Sequence, residues 1–119
     1  MKKSLKVGIL SREEFKRRTI AIAKGELHPG RDEPKIWFES LQSFAQVLND
    51  DNRLLLHIIA EQKPRSLNEL EVLTGRKKSN LSRTLHTLAG YGIVELERHA
   101  RTVMPRVKAT HFRLEVEVP

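Results

Sequence analysis

Cysteine is absent from the 119 residues, which excludes disulfides, thiolate metal ligands and a cysteine nucleophile and suits a reducing compartment. No segment approaches the run of about 20 apolar residues that spans a bilayer. The opening Met1-Lys2-Lys3-Ser4-Leu5-Lys6 leads into no apolar signal segment, so a cytoplasmic protein without a membrane partner is expected. Internal repeats and low-complexity tracts are missing as well. There is no glycine-rich phosphate loop, nucleophile elbow or paired-carboxylate signature, and Asp50-Asp51 stands where helix caps are expected. His28, His57, His86, His99 and His111 are scattered, with no i, i+4 pair joined to a carboxylate, so no zinc site is expected. His57 falls within an apolar helix and reads as a core or edge histidine. Catalytic residues, metal and cofactor are therefore not expected, and enzyme function is disfavoured.

Acidic residues are missing from Arg76 through Val94. Overall the chain carries 22 Lys and Arg against 15 Asp and Glu, a net charge of +7, which favours a polyanionic partner through long-range attraction. The excess is concentrated: between Arg76 and Arg113 nine basic residues face only Glu95 and Glu97. With 39% hydrophobic and 31% charged residues, the composition supports one folded domain, or a small domain with an N-terminal extension.

Periodicity organises the chain into alternating short elements. Leu5, Val7 and Ile9 alternate with Lys6 and Gly8 as a short strand. Ser11 and Glu14 have capping-box spacing ahead of a helix with a Phe15, Ile20, Ile22, Ala23 stripe, stopped at Gly25. A polar loop, Glu26 to Pro34, is followed by Ile36-Trp37-Phe38, an aromatic pair read as core in preference to a partner contact. Ser40 can cap a helix bearing Leu41, Phe44, Ala45, Val47 and Leu48. Asn49-Asp50-Asp51-Asn52 separates it from the next, Arg53 to about Gln62, apolar almost all round and hence the expected buried centre. Ser66 and Glu69 form a second capping-box match opening a short helix that Gly75 closes. Lys77 to Gly90 follows, with Leu81, Leu85 and Leu88 on one narrow inward stripe. Beyond Gly92 the pattern turns to strand: Ile93, Val94 and Leu96; a turn from His99 to Pro105; a return from Arg106 to Thr110; and Phe112, Leu114, Val116 and Val118 in strict alternation.

Three helices on short turns followed by a basic hairpin give an α+β winged helix-turn-helix, with an N-terminal strand-helix extension and a C-terminal strand. Residues 1–49 form the extension, a candidate dimer or partner surface, and 50–119 the winged part. In that arrangement the third helix presents its outward face to the major groove of DNA. The face opposite its leucines carries Lys78, Ser79, Asn80, Ser82, Arg83, His86 and Thr87, residue types that bond base edges and phosphates. Arg76 and Lys77 at the preceding turn are suited to phosphate, and the helix N-terminus itself favours an anion. A solvated helix face usually mixes charge signs, so the missing acids favour double-stranded DNA as partner. The hairpin from Glu97 to Lys108 adds Arg98, His99, Arg101 and Arg106 for phosphates or an adjacent minor groove.

The run Ser66-Leu67-Asn68-Glu69-Leu70, then Gly75-Arg76-Lys77-Lys78-Ser79-Asn80-Leu81-Ser82-Arg83-Thr84-Leu85, then Leu88 and Tyr91-Gly92-Ile93-Val94, resembles MarR/ArsR-type winged-helix regulators over roughly Asp51 to Lys108. In those proteins a Ser-Arg-x-Leu element, here Ser82 to Leu85, marks the recognition helix, and Gly92-Ile93-Val94 matches its exit into the wing. Adding Glu33-Pro34-Lys35-Ile36-Trp37-Phe38-Glu39-Ser40-Leu41, nearly the whole chain resembles a family of short prokaryotic DNA-binding proteins regarded as antitoxin-like regulators. That resemblance implies a cognate toxin and an autoregulated operon.

A homodimer is expected, because one recognition helix reads only a few base pairs and a two-fold pair multiplies specificity. The N-terminal strand and helix and the C-terminal strand are the available surfaces. The alternative is a winged-helix interaction module that mainly holds a partner protein and binds DNA weakly, since fold does not fix function.

Overall fold

Ser4–Ile9 forms the first strand, β1, in the computed structural model, which describes residues 3–118. Ser11 caps helix α1, Arg12–Ala23, in a full capping box: its hydroxyl accepts the Glu14 N–H and the Glu14 carboxylate accepts the Ser11 N–H. The chain then returns through residues 24–35 to strand β2, Ile36–Phe38, which pairs parallel with β1. Parallel neighbours cannot be joined by a tight hairpin, so α1 with its loop is the required crossover. Helices α2 (Leu41–Val47), α3 (Asp50–Gln62), α4 (Leu67–Thr74) and α5 (Lys78–Gly90) follow, then the antiparallel hairpin β3 (Val94–His99) and β4 (Thr102–Val107). The last strand, β5 (His111–Glu115), returns to lie parallel beside β1, giving a three-stranded sheet in the order β2-β1-β5. The described residues thus form a mixed α/β fold of five helices and five strands, and α3 to β4 make up its winged helix-turn-helix.

Register decides which face of the parallel sheet is covered. Val7 stands beside Ile36 and Leu114, Leu5 beside Phe112, and Ile9 beside Phe38, so these side chains share one face. Val7, Ile36 and Phe38 on that face join Leu55, Ile59, Leu70, Leu81, Leu85, Leu88 and Ile93 in a single buried cluster. One apolar core therefore runs from residues of 1–49 into residues of 50–119. The opposite face holds Lys6, Gly8 and Trp37. Trp37 packs against Gly8, and Arg18 of α1 lies over the same ring, the guanidinium carbon 5.0 Å from the ring centroid.

The structure corrects several expectations. The hairpin turn is two residues, Ala100-Arg101, in place of His99 to Pro105; β4 starts at Thr102, and the return does not run from Arg106 to Thr110. Pro105, read as a turn residue, lies inside β4 opposite Leu96 and is buried, which an edge strand permits because the N–H that proline lacks is not needed by a second neighbour. The helix expected from Arg53 begins at Asp50, capped by the Asn49 side chain at 2.8 Å. It is not enclosed all round: Leu55, Leu56 and Ile59 are buried, whereas Leu54 is 59% exposed. The apolar stripe of α1 buries no residue at all, because the sheet face it crosses is largely polar. The second capping box is half formed: Ser66 accepts the Glu69 N–H, while the Glu69 carboxylate turns to the Arg65 N–H at 2.7 Å. The alternation through Val118 becomes strand only as far as Glu115.

A methyl group at Gly8 would lie 2.4 Å from Trp37 Cζ3 and 2.8 Å from Pro34 Cγ. Gly8→Ala is therefore expected to cost about 1–3 kcal/mol through overpacking, read as a lower urea midpoint. Ala100 sits at φ +55°, a left-handed conformation that costs a non-glycine residue roughly 1 kcal/mol. Ala100→Gly should accordingly raise the midpoint.

Candidate nucleic-acid interface

Helix α5 is fixed on three sides. Leu81, Leu85 and Leu88 are fully buried and set its rotation about its own axis. Its exit is turned sharply at Gly92, φ +83°, where Gly92 and Ile93 donate N–H groups to Ala89 and Leu88 carbonyls, a conformation glycine adopts without strain. Tyr91, at the same exit, stacks on Phe38 with ring centroids 4.2 Å apart and planes inclined by 20°, and Phe38 in turn meets Phe44 of α2 edge-on at 5.4 Å.

The entry to α5 is held by polar contacts. Lys77 occupies the N-cap position and supplies no capping side-chain bond. The missing acceptor comes from the preceding helix: Glu71 Oε2 of α4 accepts the Lys78 N–H at 3.0 Å. One N–H at the anion-favouring end of α5 is thus already taken by a carboxylate of the fold itself. Arg76, just before it, is a strut. Its Nε donates to Asn80 Oδ1 at 2.9 Å, one terminal nitrogen to Thr84 Oγ1 at 3.0 Å and the other to Asn52 Oδ1 at 3.4 Å. Asn52 also donates to the Val47 carbonyl at 2.9 Å, so one guanidinium ties α5 to the α2–α3 junction. Arg76 was read as a phosphate contact and Asn80 as a base reader; the fold joins them to each other, with the guanidinium half-buried.

The remaining residues of that reading are gathered on the outer side of α5. Lys77, Lys78, Ser79, Arg83, His86 and Thr87 are exposed, and Ser82 is half-buried. Among the described residues, Lys77, Lys78 and Arg83 form no ion pair. His86 Nδ1 lies 2.7 Å from the Ser82 carbonyl. A carbonyl only accepts, so the neutral ring carries its proton on Nδ1 and presents Nε2 outward as an acceptor. Thr87 donates its hydroxyl to the Arg83 carbonyl at 3.2 Å and keeps acceptor capacity for a ligand.

The hairpin residues divide. Arg98 and Arg101, near the tip, are exposed without a carboxylate partner among the described residues. Arg106 lies on the other face and pairs with Glu97 at 3.2 Å, a carboxylate that His99 Nε2 also approaches at 3.2 Å. The basic wing is therefore its tip, while its base is internally neutralised. Glu71, Asn52 and Thr84 are the positioning residues that sequence reasoning missed. They lie 7 residues before, 24 before and 8 after the groups they bond, spacings that no local motif signals.

A family model, HVO_A0114, matches residues 47–114, from the end of α2 through most of β5. The chain belongs to the HVO_A0114 family. The match takes in the whole helix-turn-helix and hairpin of this family member, and stops short of β1, α1 and β2. Comparison with curated proteins gave no match. Among solved structures the chain is similar to a "predicted DNA-binding transcriptional regulator from E. coli", with 18% identity, 77% of this chain and 82% of that chain covered, and a TM-score of 0.47. Among the described residues no helix is long and apolar enough to cross a membrane.

Because Arg76 bridges three acceptors on two elements, two of them half-buried, Arg76→Ala is expected to lower stability by about 1 kcal/mol or more through the loss of charge-assisted hydrogen bonds. Lys77→Ala, at an exposed and unbonded position, should stay within roughly 0.5 kcal/mol of the parent. Urea denaturation of the two variants separates a strut from a free cation.

Proposed function

We propose that this chain is a sequence-specific, double-stranded DNA-binding transcriptional regulator that acts as a homodimer in the cytoplasm, by binding and not by catalysis. The observation that carries the reading is the outer face of α5, where Lys77, Lys78 and Arg83 are exposed without carboxylate partners and Ser79, His86 and Thr87 stand beside them. With its leucines inward, α5 enters the major groove, which admits one helix. Arg83 is the residue suited to bidentate pairing with a guanine edge; Lys77 and Lys78 neutralise phosphates and release counterions. Arg98 and Arg101 at the wing tip engage the adjacent backbone or minor groove.

The finer reading, an antitoxin that represses its own operon, rests on the family resemblance drawn from the sequence. It requires a protein encoded beside this one that co-purifies with it in fixed stoichiometry. A partner retained by Arg83→Ala and Lys78→Ala while promoter binding is lost would assign the toxin surface elsewhere than α5.

Fluorescence anisotropy with fragments of the chain's own promoter tests the DNA reading. Arg83→Ala should cost about 1–3 kcal/mol on the preferred site and narrow its advantage over random DNA; Lys77→Ala should weaken all sequences alike and reduce the salt slope by about 1. If no fragment binds more tightly than random duplex at moderate salt, the proposal fails.

A further inference from the structure

Among the described residues strand β5 has a neighbour on one side only, β1. His111 donates its N–H to the Lys3 carbonyl and stands in register with Ser4, so odd-numbered residues of β5 turn their peptide groups toward β1 and Phe112 and Leu114 turn theirs outward, where no strand receives them. Such an edge is normally blunted by proline, a bulge or a cover. Between His111 and Val118 there is no proline and no glycine. Exposure of the apolar face rises along the same segment: Phe112 is half-buried, Leu114 38%, Val116 48% and Val118 93% exposed. The protomer covers the start of this face and leaves the rest bare.

We propose that β5 is the homodimer interface, and that two copies pair antiparallel about a two-fold axis through Leu114, joining their parallel sheets into one. The sequence itself selects this register. Any shift by an odd number sets apolar residues against charged ones and turns the faces over. Among the even registers, an axis at Arg113 or at Glu115 sets that residue against its own copy, an axis at Phe112 sets His111 against Arg113, and an axis at Val116 sets Glu115 against Glu117. The axis at Leu114 alone sets opposite charges together without any like-charge pair. It places Arg113 opposite Glu115 of the second copy, His111 opposite Glu117, Phe112 opposite Val116, and Leu114 opposite itself. Cross-strand pairs of opposite charge stabilise an antiparallel sheet and like charges oppose it. Lys6, already 3.3 Å from Glu115 within its own protomer, then flanks the same carboxylate, which sits between two cations. The second copy's Phe112 covers Val116, the exposed stretch that the protomer leaves bare.

Sedimentation equilibrium of the full chain without DNA is the test, so its result is independent of the DNA-binding reading. The parent should sediment as a dimer. Arg113→Glu sets Glu against Glu, and Glu115→Lys sets Arg against Lys, each twice per dimer; each should weaken association at least about tenfold. An equimolar mixture of the two variants restores opposite charges at every position and should recover the parent's dimer. Val116→Lys, at a position half-exposed in the protomer, should also dissociate it, while Val72→Lys, at a residue 84% exposed on α4, should leave the dimer intact. Circular dichroism verifies that each variant is folded. A monomeric parent, a dimer that persists in Arg113→Glu, or two variants that stay monomeric when mixed would overturn the proposal. Should the charge variants lose their fold, a dimer retained by Val116→Lys overturns it in their place.

Discussion

The stacked contact between Phe38 and Tyr91 is the joint on which this architecture depends. Phe38 ends the short strand β2, and Tyr91 closes the helix α5; their rings meet where the parallel sheet and the helix-turn-helix would otherwise be two small, poorly enclosed layers. Neither half has many side chains to spare. With only six aromatic residues in the chain, concentrating Phe38, Phe44 and Tyr91 at one point places half of them where two layers must be welded. The orientation of α5 then follows from both its ends: leucines and Tyr91 behind it, Glu71 and Arg76 at its start.

Polar side chains perform the finer alignment. A guanidinium that bonds Asn52, Asn80 and Thr84 needs all three acceptors in place at once, so Arg76 couples the pitch of α5 to the junction of α2 and α3. The residues left over for a ligand are those the fold does not use. This division explains why Lys77 at the entry of α5 and Arg83 on it are exposed and, among the described residues, without an ion pair, although Arg76, one residue before Lys77, is engaged. Charge at the entry of α5 is balanced in the same economical way, with the Glu71 carboxylate capping a helix whose own N-cap residue is a lysine.

Much of this was legible in the sequence because the signals are local. Ser11 with Glu14 marked α1, Leu81, Leu85 and Leu88 marked the buried face of α5, and the glycines at 75 and 92 marked helix ends where a left-handed residue is needed. The fold class followed from that order of elements. The parallel sheet was not legible, since nothing in the alternation of Leu5, Val7 and Ile9 names Ile36 or Phe112 as partners. Proline misled: Pro105 signals a turn by composition, yet an edge strand accommodates it, and the true turn, Ala100-Arg101, has none of the residues that usually form one. Within the candidate interface the residue types were readable and their engagements were not. Arg76 and Arg106 look identical to Arg83 and Arg98 in a list of cations, and only geometry separates a neutralised side chain from an available one.

The pairing of β5 with β1 also shapes how the chain reaches its fold. Ser4 stands in register with His111, so the central strand of the sheet receives its second neighbour from almost the far end of the described chain. The helices and the hairpin close through short loops and can form early, whereas the sheet waits for a contact with a large loop-closure cost. During synthesis β1 leaves the ribosome ahead of both its neighbours and stays half-paired, with β2 alone beside it, until β5 has been made. Of the described elements, the last to be translated is therefore the one that completes the sheet around β1.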